Sequence, residues 1–273
     1  MTDKRLAGKW ALVTGSTRGL GRVIAEWLAA DGAAIVVSGR EEADVAASVT
    51  AIKALGVDAI GIPADLSQVT EAHRLAEAAI AAVPALDILV NNAGMSIRGN
   101  FWDVSDADWD YQVNVNVRSP FIIAQHAARH MIERETHGRI VNISTIGVHS
   151  CHHNAAVYNL AKAAVEGMTK NMSFELGPYG INVNCVAPGN IAIRPGMLES
   201  PWFPQAINAI PLGRLGHGED IAAAVRFFCL PESSFTTGQT LLVDGGHNSY
   251  LTEMLDEPIN SPGRMVKPRR APK

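Results

Sequence analysis

Short, wholly apolar runs alternate along the chain with longer stretches that mix apolar and polar positions. The runs at Trp10–Thr14, Ala33–Ser38, Val57–Ile62, Leu86–Asn91, Gly138–Ser144, Gly180–Val186 and Gln239–Val243 have the length of strands. A strand apolar at successive positions is covered on both faces, which is the pattern of a parallel sheet. The stretches between them, beginning with a helix-like segment from Leu20 to Ala30, are long enough for crossover helices. The predicted fold class is α/β: a single Rossmann-type, doubly wound parallel sheet with helices on both faces. No repeat, low-complexity stretch or linker interrupts the rhythm, so residues 1–273 read as a single domain with a core of about 6–246.

Two segments depart from the pattern. Pro188–Pro211 carries five prolines with Trp202 and Phe203 and is long for a connection. It is read as a lid or substrate loop. The C-terminal extension, 247–273, holds Pro258, Pro262, Pro268 and Pro272, and ends in Arg264, Lys267, Arg269, Arg270 and Lys273. It is read as a solvated tail or one that packs on a neighbouring subunit, in preference to a nucleic-acid arm.

Composition narrows the function classes. Hydrophobic residues make up 47% and charged residues 18% of the 273, which suits a packed globular core and not a disordered chain. The net charge of −4 supplies no general attraction to nucleic acid or to an anionic membrane. Cys151, Cys185 and Cys229 are odd in number and form no CxxC motif, so a disulfide framework is not expected and a cytoplasmic location is. The segment from Met1 to Trp10 is polar, no apolar run approaches a membrane span, and no metal site is expected.

Candidate chemistry begins at the first strand. Thr14-Gly15-Ser16-Thr17-Arg18-Gly19-Leu20-Gly21 stands between a strand and a helix. Glycines there let the backbone turn tightly and approach a pyrophosphate, and the helix start offers free N–H groups. At the end of the second strand, Val36-Val37-Ser38-Gly39-Arg40 has Gly39 where a Rossmann protein that selects NAD carries an acid. Arg40 and Arg18 instead suit the 2′-phosphate of NADP(H), since guanidinium pairs bidentately with phosphate. Glu41 and Glu42 follow directly and compete for those arginines. Asp65-Leu66 and Asn91-Asn92-Ala93-Gly94 fall at carboxyl ends of predicted strands, where ligands bind in open α/β sheets.

Tyr158 and Lys162 are four apart on a predicted helix and share a face. An ammonium beside a phenol favours phenolate and lowers its pKa, which would let the tyrosine exchange a proton near neutral pH. TGxxxGxG, NNAG, YxxxK and Pro188-Gly189 together resemble the short-chain dehydrogenase/reductase family, in its 3-oxoacyl-ACP reductase-like subgroup, over roughly Leu6 to Gly246. Leu241-Leu242-Val243-Asp244-Gly245-Gly246 also looks like that family's last strand. The resemblance implies a Rossmann fold, a nicotinamide cofactor, a homotetramer, and a catalytic set of Asn, Ser, Tyr and Lys. Carried over, the set is Asn116, with Asn114 as competitor, then Thr145, Tyr158 and Lys162. The asparagine would help hold a water linking the lysine to solvent.

Two positions depart from the family pattern. Counting thirteen back from Tyr158 reaches Thr145 where a serine usually stands, and a one-residue shift would assign Ser144. Threonine keeps a hydroxyl able to donate to a carbonyl. After Pro188-Gly189-Asn190-Ile191-Ala192 the chain has Ile193 where the family often has threonine, so backbone at Ile191 is expected to hold the carboxamide. His152, His153 and Trp202 are candidate substrate-lining residues. The expected activity is NADP(H)-dependent interconversion of a small-molecule ketone and a secondary alcohol, with no nucleic-acid or membrane partner. The rival readings are an NAD(H)-dependent dehydrogenase of the same fold, a non-catalytic dinucleotide-binding regulator, and a non-redox lyase or epimerase.

Overall fold

The computed structural model describes residues 4–193 and 203–249. Seven strands form one all-parallel sheet: β1 (Trp10–Val13), β2 (Ala34–Gly39), β3 (Ala59–Pro63), β4 (Ile88–Asn91), β5 (Arg139–Ile143), β6 (Asn182–Pro188) and β7 (Thr240–Val243). Their order is β3-β2-β1-β4-β5-β6-β7. The helices are α1 (Gly19–Ala30), α2 (Glu42–Lys53), α3 (Val69–Ala82), α4 (Asp106–Val113), α5 (Ser119–Glu133), α6 (Ala156–Leu176), α7 (Phe203–Asn208) and α8 (Gly218–Cys229).

Successive strand residues point to opposite faces, so each strand feeds two cores. Ala11, Val13, Ile35, Val37, Val90 and Val141 pack with Ile24 and Leu28 of α1, Val45 and Ile52 of α2, and Ile221 and Val225 of α8. Leu12, Val36, Leu89 and Ile140 pack on the other face with Leu75 of α3, Ile123, Ala127 and Met131 of α5, and Leu176 of α6. This is the doubly wound Rossmann-type arrangement that the apolar runs predict. Polar residues enter the second face as well. Asn91 Nδ2 donates to Asn142 Oδ1 at 2.9 Å, and Asn142 Nδ2 to Thr169 Oγ1 at 2.9 Å, in a buried chain that links β4, β5 and α6.

Several boundaries differ from the apolar runs. β4 starts at Ile88 and β6 at Asn182. Gly180 adopts a left-handed conformation, φ +70°, which breaks the strand before it begins. Asp87, just before β4, bonds Trp10 O and Arg139 N through its backbone and uses its carboxylate to hold the Lys9 ammonium and the Trp10 N–H. β6 runs on to Pro188 because Ala187 and Pro188 find partners in Leu242 and Val243. Within the segment read as a lid, α7 lies among the described residues and Trp202 lies outside them, as does the chain beyond residue 249.

The winding determines where a ligand can sit. From β1 the chain builds outward to β3, then crosses back to place β4 on the other side of β1. The loops leaving β1 and β4 therefore part, and a crevice opens at their carboxyl ends. Leu12 is fully buried in the central strand. Leu12→Ala is expected to lower unfolding free energy by about 2–5 kcal/mol, measured by urea denaturation, because the rigid sheet leaves a cavity it cannot fill. A loss below about 1 kcal/mol would mean that the central sheet relaxes around the gap.

Candidate active site

The crevice is an open cleft of about 1020 Å³, at the top of the range for small-molecule sites. One end is built by the loop between β1 and α1. Gly15 and Gly19 adopt positive φ, +64° and +56°, so the chain can turn back into a helix. Gly21 has no room for a side chain: a Cβ there would lie 2.3 Å from Gly15 O and 2.4 Å from Asn92 Nδ2. Thr14 and Asn92 lock this loop to the end of β4. Thr14 Oγ1 accepts from the N–H groups of Asn92 and Ala93, both at 3.0 Å, and Asn92 Nδ2 donates to Thr14 O at 2.9 Å. No side chain caps the start of α1. Gly19, Leu20 and Gly21 line the cleft at that start, where N–H groups and the positive end of the helix dipole favour an anion.

The β2 end lies beside this loop. A Cβ at Gly39 would fall 2.5 Å from Thr17 Cγ2, so Thr17 fills the space that an acidic side chain would need. Arg18 and Arg40 both line the cleft, and Arg40 Nη1 reaches Tyr111 Oη at 3.5 Å. Among the described residues neither arginine is in an ion pair, so Glu41 and Glu42 do not take them up. Glu41 and Asp44 nevertheless line the same end of the cleft. The Ser38 hydroxyl is buried there without a partner in the protein.

Asp65 and Leu66 meet the cleft after β3, and Asp65 Oδ1 accepts from Ser67 N at 3.0 Å. Asn92, Ala93 and Gly94 follow β4, and Pro188, Gly189 and Ile191 follow β6. Asn190 O and Ala192 N both bond Gly216, so the N–H and C=O of Ile191 point the other way. Every residue expected from the sequence at the cofactor therefore lines one cleft. Met95, Ser96, Tyr111 and Asp44 line it too. They lie outside any glycine or YxxxK pattern, and Tyr111 reaches the cleft from a helix remote in sequence.

At the other end, α6 presents Tyr158 and Lys162 one turn apart. Lys162 is 3% exposed, its Nζ donates to Ile143 O at 2.8 Å, and it lies 5.9 Å from the centre of the Tyr158 ring. Burial pushes the ammonium down to about 8 from 10.5, with a weak opposite pull from Cys185. Burial also pushes the Tyr158 phenol above its ordinary value, while its hydrogen bond with Thr145 and the charge of Arg98 act the other way. An ammonium beside a phenol, taken by itself, lowers the phenol's pKa, as the YxxxK spacing predicts. Instead the dry setting disfavours the charged form of both groups.

Thr145 lines the cleft beside Tyr158. Ser144 turns its hydroxyl to Glu166 Oε1 at 2.8 Å, an acid that also pairs with His149. Asn116 is wholly buried in a π-helical turn, 114–118, between α4 and α5. Its Nδ2 donates to Met95 O at 2.7 Å and Gln112 O at 2.8 Å, and its Oδ1 accepts from Met95 N at 3.1 Å. A Cβ on Gly94 would lie 3.2 Å from Asn116 Oδ1 and 3.3 Å from Lys162 Nζ, so the asparagine and lysine meet across that glycine. Asn114 bonds Ser67 O instead. His152 packs near Tyr158, ring centres 6.4 Å apart, and bonds Asn159 Oδ1 through Nδ1 at 3.1 Å. His153 is exposed, and neither histidine is among the cleft-lining residues. Among the described residues no three His, Cys, Asp or Glu side chains gather as a metal site, and no helix is long and apolar enough to cross a membrane.

Known proteins share this arrangement. Residues 15–248 match the family described as enoyl-(acyl carrier protein) reductase. The chain is 39% identical to BbsD, a hydroxy(phenyl)methylsuccinyl-CoA dehydrogenase subunit of Thauera aromatica, over 88% of this chain and 96% of that protein. It is 38% identical to the 3-oxoacyl-(acyl-carrier-protein) reductase FabG of Aquifex aeolicus, over 89% of this chain and 98% of the other. The solved structure of a gluconate 5-dehydrogenase from Burkholderia cenocepacia, in complex with NADP and tartrate, superposes with a TM-score of 0.85 at 35% identity. It covers 91% of this chain and 98% of that one. The chain belongs to the short-chain dehydrogenase/reductase family of oxidoreductases, and within it is 3-oxoacyl-ACP reductase-like.

Proposed function

We propose that this protein is an NADP(H)-dependent reductase that interconverts a ketone and a secondary alcohol, with Tyr158 as general acid and base. One observation carries the reading. The Tyr158 hydroxyl, the Thr145 hydroxyl bonded to it and the Lys162 ammonium open into the same cleft as the uncapped start of α1.

The cleft fits a nicotinamide dinucleotide. The N–H groups at the start of α1 suit its pyrophosphate, and the Arg18 and Arg40 guanidiniums suit a 2′-phosphate. Thr17 against Gly39 removes the place for a ribose-binding acid, and the unpartnered Ser38 hydroxyl leaves a donor for the same end. When bound, the cofactor supplies the hydride and, in its oxidised form, a positive charge at the nicotinamide. Thr145 and Tyr158 would hold the substrate oxygen through their hydroxyls. Burial keeps the phenol neutral at physiological pH, so Tyr158 is poised to give its proton to a ketone oxygen. Lys162 sets its ammonium 5.9 Å from the Tyr158 ring, and Asn116 fixes Met95 and with it the cleft wall. Ser144, committed to Glu166, is the weaker candidate for the substrate hydroxyl contact. His152 lies closer to this end than His153 and is the better substrate contact.

The assignment to NADP(H) draws support from a relative crystallised with NADP and from another neighbour crystallised with NADPH. A homotetramer is supported by the large apolar side chains exposed on α5 and α6, namely Phe121, Leu160 and Phe174. A reducing cytoplasm is supported by Cys151, Cys185 and Cys229, all unpaired. One domain accounts for the single seven-stranded sheet.

Three outcomes are expected. Tyr158→Phe should abolish turnover, by about a thousandfold or more, while NADPH binding measured by fluorescence is retained. Wild-type turnover in that variant would end the acid–base role. Arg40→Asp should weaken NADPH roughly ten- to a hundredfold and leave NADH less affected, since a charged phosphate contact is lost. An unchanged NADPH-to-NADH preference would remove Arg40 from the phosphate site. The third concerns pH. Lys162 holds its charge below about 8 and loses it above. The kcat/KM for ketone reduction should accordingly fall as pH rises through about 8, and a flat profile through that range would separate the ammonium from catalysis.

A further inference from the structure

At and beside the Tyr158 end of the cleft stand a polar and a basic group, Ser96 and Arg98, that the proton chemistry leaves unused. Ser96 lines the cleft, and its hydroxyl is enclosed without a partner in the protein. Two residues on, Arg98 Nη1 donates to His153 O at 2.9 Å, and Gly99 N donates to Asn154 O at 3.0 Å. These bonds stitch the Arg98 segment to the loop that brings His152 against Tyr158. One N–H of the guanidinium is thereby used. Among the described residues no carboxylate pairs with it.

Three acids of the chain, Glu166, Asp103 and Asp244, are engaged elsewhere. Glu166 accepts from Ser144 and faces His149, and Asp103 accepts from Asn100. Asp244 accepts from the backbone N–H groups of Gly246 and Asn248. The Arg98 charge reaches the Tyr158 hydroxyl, where it offsets part of the effect of burial. At His152, burial favours the neutral imidazole, the Asn159 hydrogen bond opposes it, and the charges of Arg98 and His247 add to the burial effect. Arg98 thus stands exposed at the rim, outside the residues that line the cleft but joined to the loop that packs His152 on Tyr158.

We propose that the ketone bears a carboxylate and that the Arg98 guanidinium binds it, with the Ser96 hydroxyl donating to a second substrate oxygen. The inference rests on the reading of Tyr158 as the proton donor to a ketone, and it names the class of that substrate: an oxo acid, or its hydroxy acid in the reverse direction. Guanidinium suits the task because its planar fork matches a carboxylate. An exposed rim arginine also draws an anionic substrate toward the cleft, an effect that salt weakens.

The test has two arms. In the first, NADPH-dependent reduction of a series of 3-, 4- and 5-oxo acids is compared with that of their methyl esters, in wild type and in Arg98→Met. The best acid should exceed its ester by roughly tenfold or more in kcat/KM, chiefly through KM, and that advantage should vanish in Arg98→Met. In the second, the NADPH-bound protein is titrated with tartrate by calorimetry. Binding should weaken about tenfold or more in Arg98→Met and return in part in Arg98→Lys. NADPH fluorescence in both variants checks that the fold and cofactor site survive. Esters reduced as well as acids, or tartrate bound equally by wild type and Arg98→Met, would overturn the proposal. Absence of NADPH oxidation with every compound would count against the reductase reading, and the tartrate arm would then decide the Arg98 site by itself.

Discussion

Between β1 and β4 the sheet reverses its winding, and Thr14 and Asn92 clasp the two loops that part there. A parallel sheet covered on both faces satisfies its backbone internally, so polar groups become available to a ligand chiefly at strand ends. At this reversal several such ends meet without a helix crossing over them. The glycine loop, the Asn92–Gly94 turn and the Pro188–Ile191 turn all face that opening. Its geometry depends on close contact. Gly21 lies against Gly15 O and Asn92, and Gly189 lies where a Cβ would strike Asp244.

The other end of the cleft is arranged around a costly feature, a wholly buried ammonium. The fall of the Lys162 pKa from 10.5 to about 8 corresponds to a penalty on the order of 3 kcal/mol for carrying the charge at neutral pH. One backbone acceptor, Ile143 O, offsets part of it. The same dryness holds Tyr158 protonated, so burial sets both the proton inventory and the strength of every charge nearby.

The sheet was legible in the chain because its strands are apolar at consecutive positions, a signal that tertiary contacts reinforce. The glycine loop was legible because its chemistry is local: a turn, a helix start and a close approach all occur within eight residues. Tyr158 and Lys162 were legible because a spacing of four on a helix fixes a shared face whatever surrounds it. The choice between Thr145 and Ser144 was not. Adjacent residues after a strand point apart, and which one meets the tyrosine depends on where α6 and Glu166 lie. The π-helical turn that carries Asn116 was also hidden, because an inserted residue in a helix leaves no reliable mark in composition.

The sequence alone determined the fold class, the position of the cleft within it and the two residues on one face of α6, since each follows from short-range spacing and strand periodicity. Tertiary structure alone decided what those residues experience. Burial raises Tyr158 and lowers Lys162 together, where the pair considered in isolation would lower the tyrosine. It decided that Arg18 and Arg40 stand clear of Glu41 and Glu42 in ion pairing, and that Arg98 reaches the loop before Tyr158 from fifty-five residues away. Desolvation and long-range charge depend on which segments surround a group, and that is a property of the folded chain and not of any stretch of it.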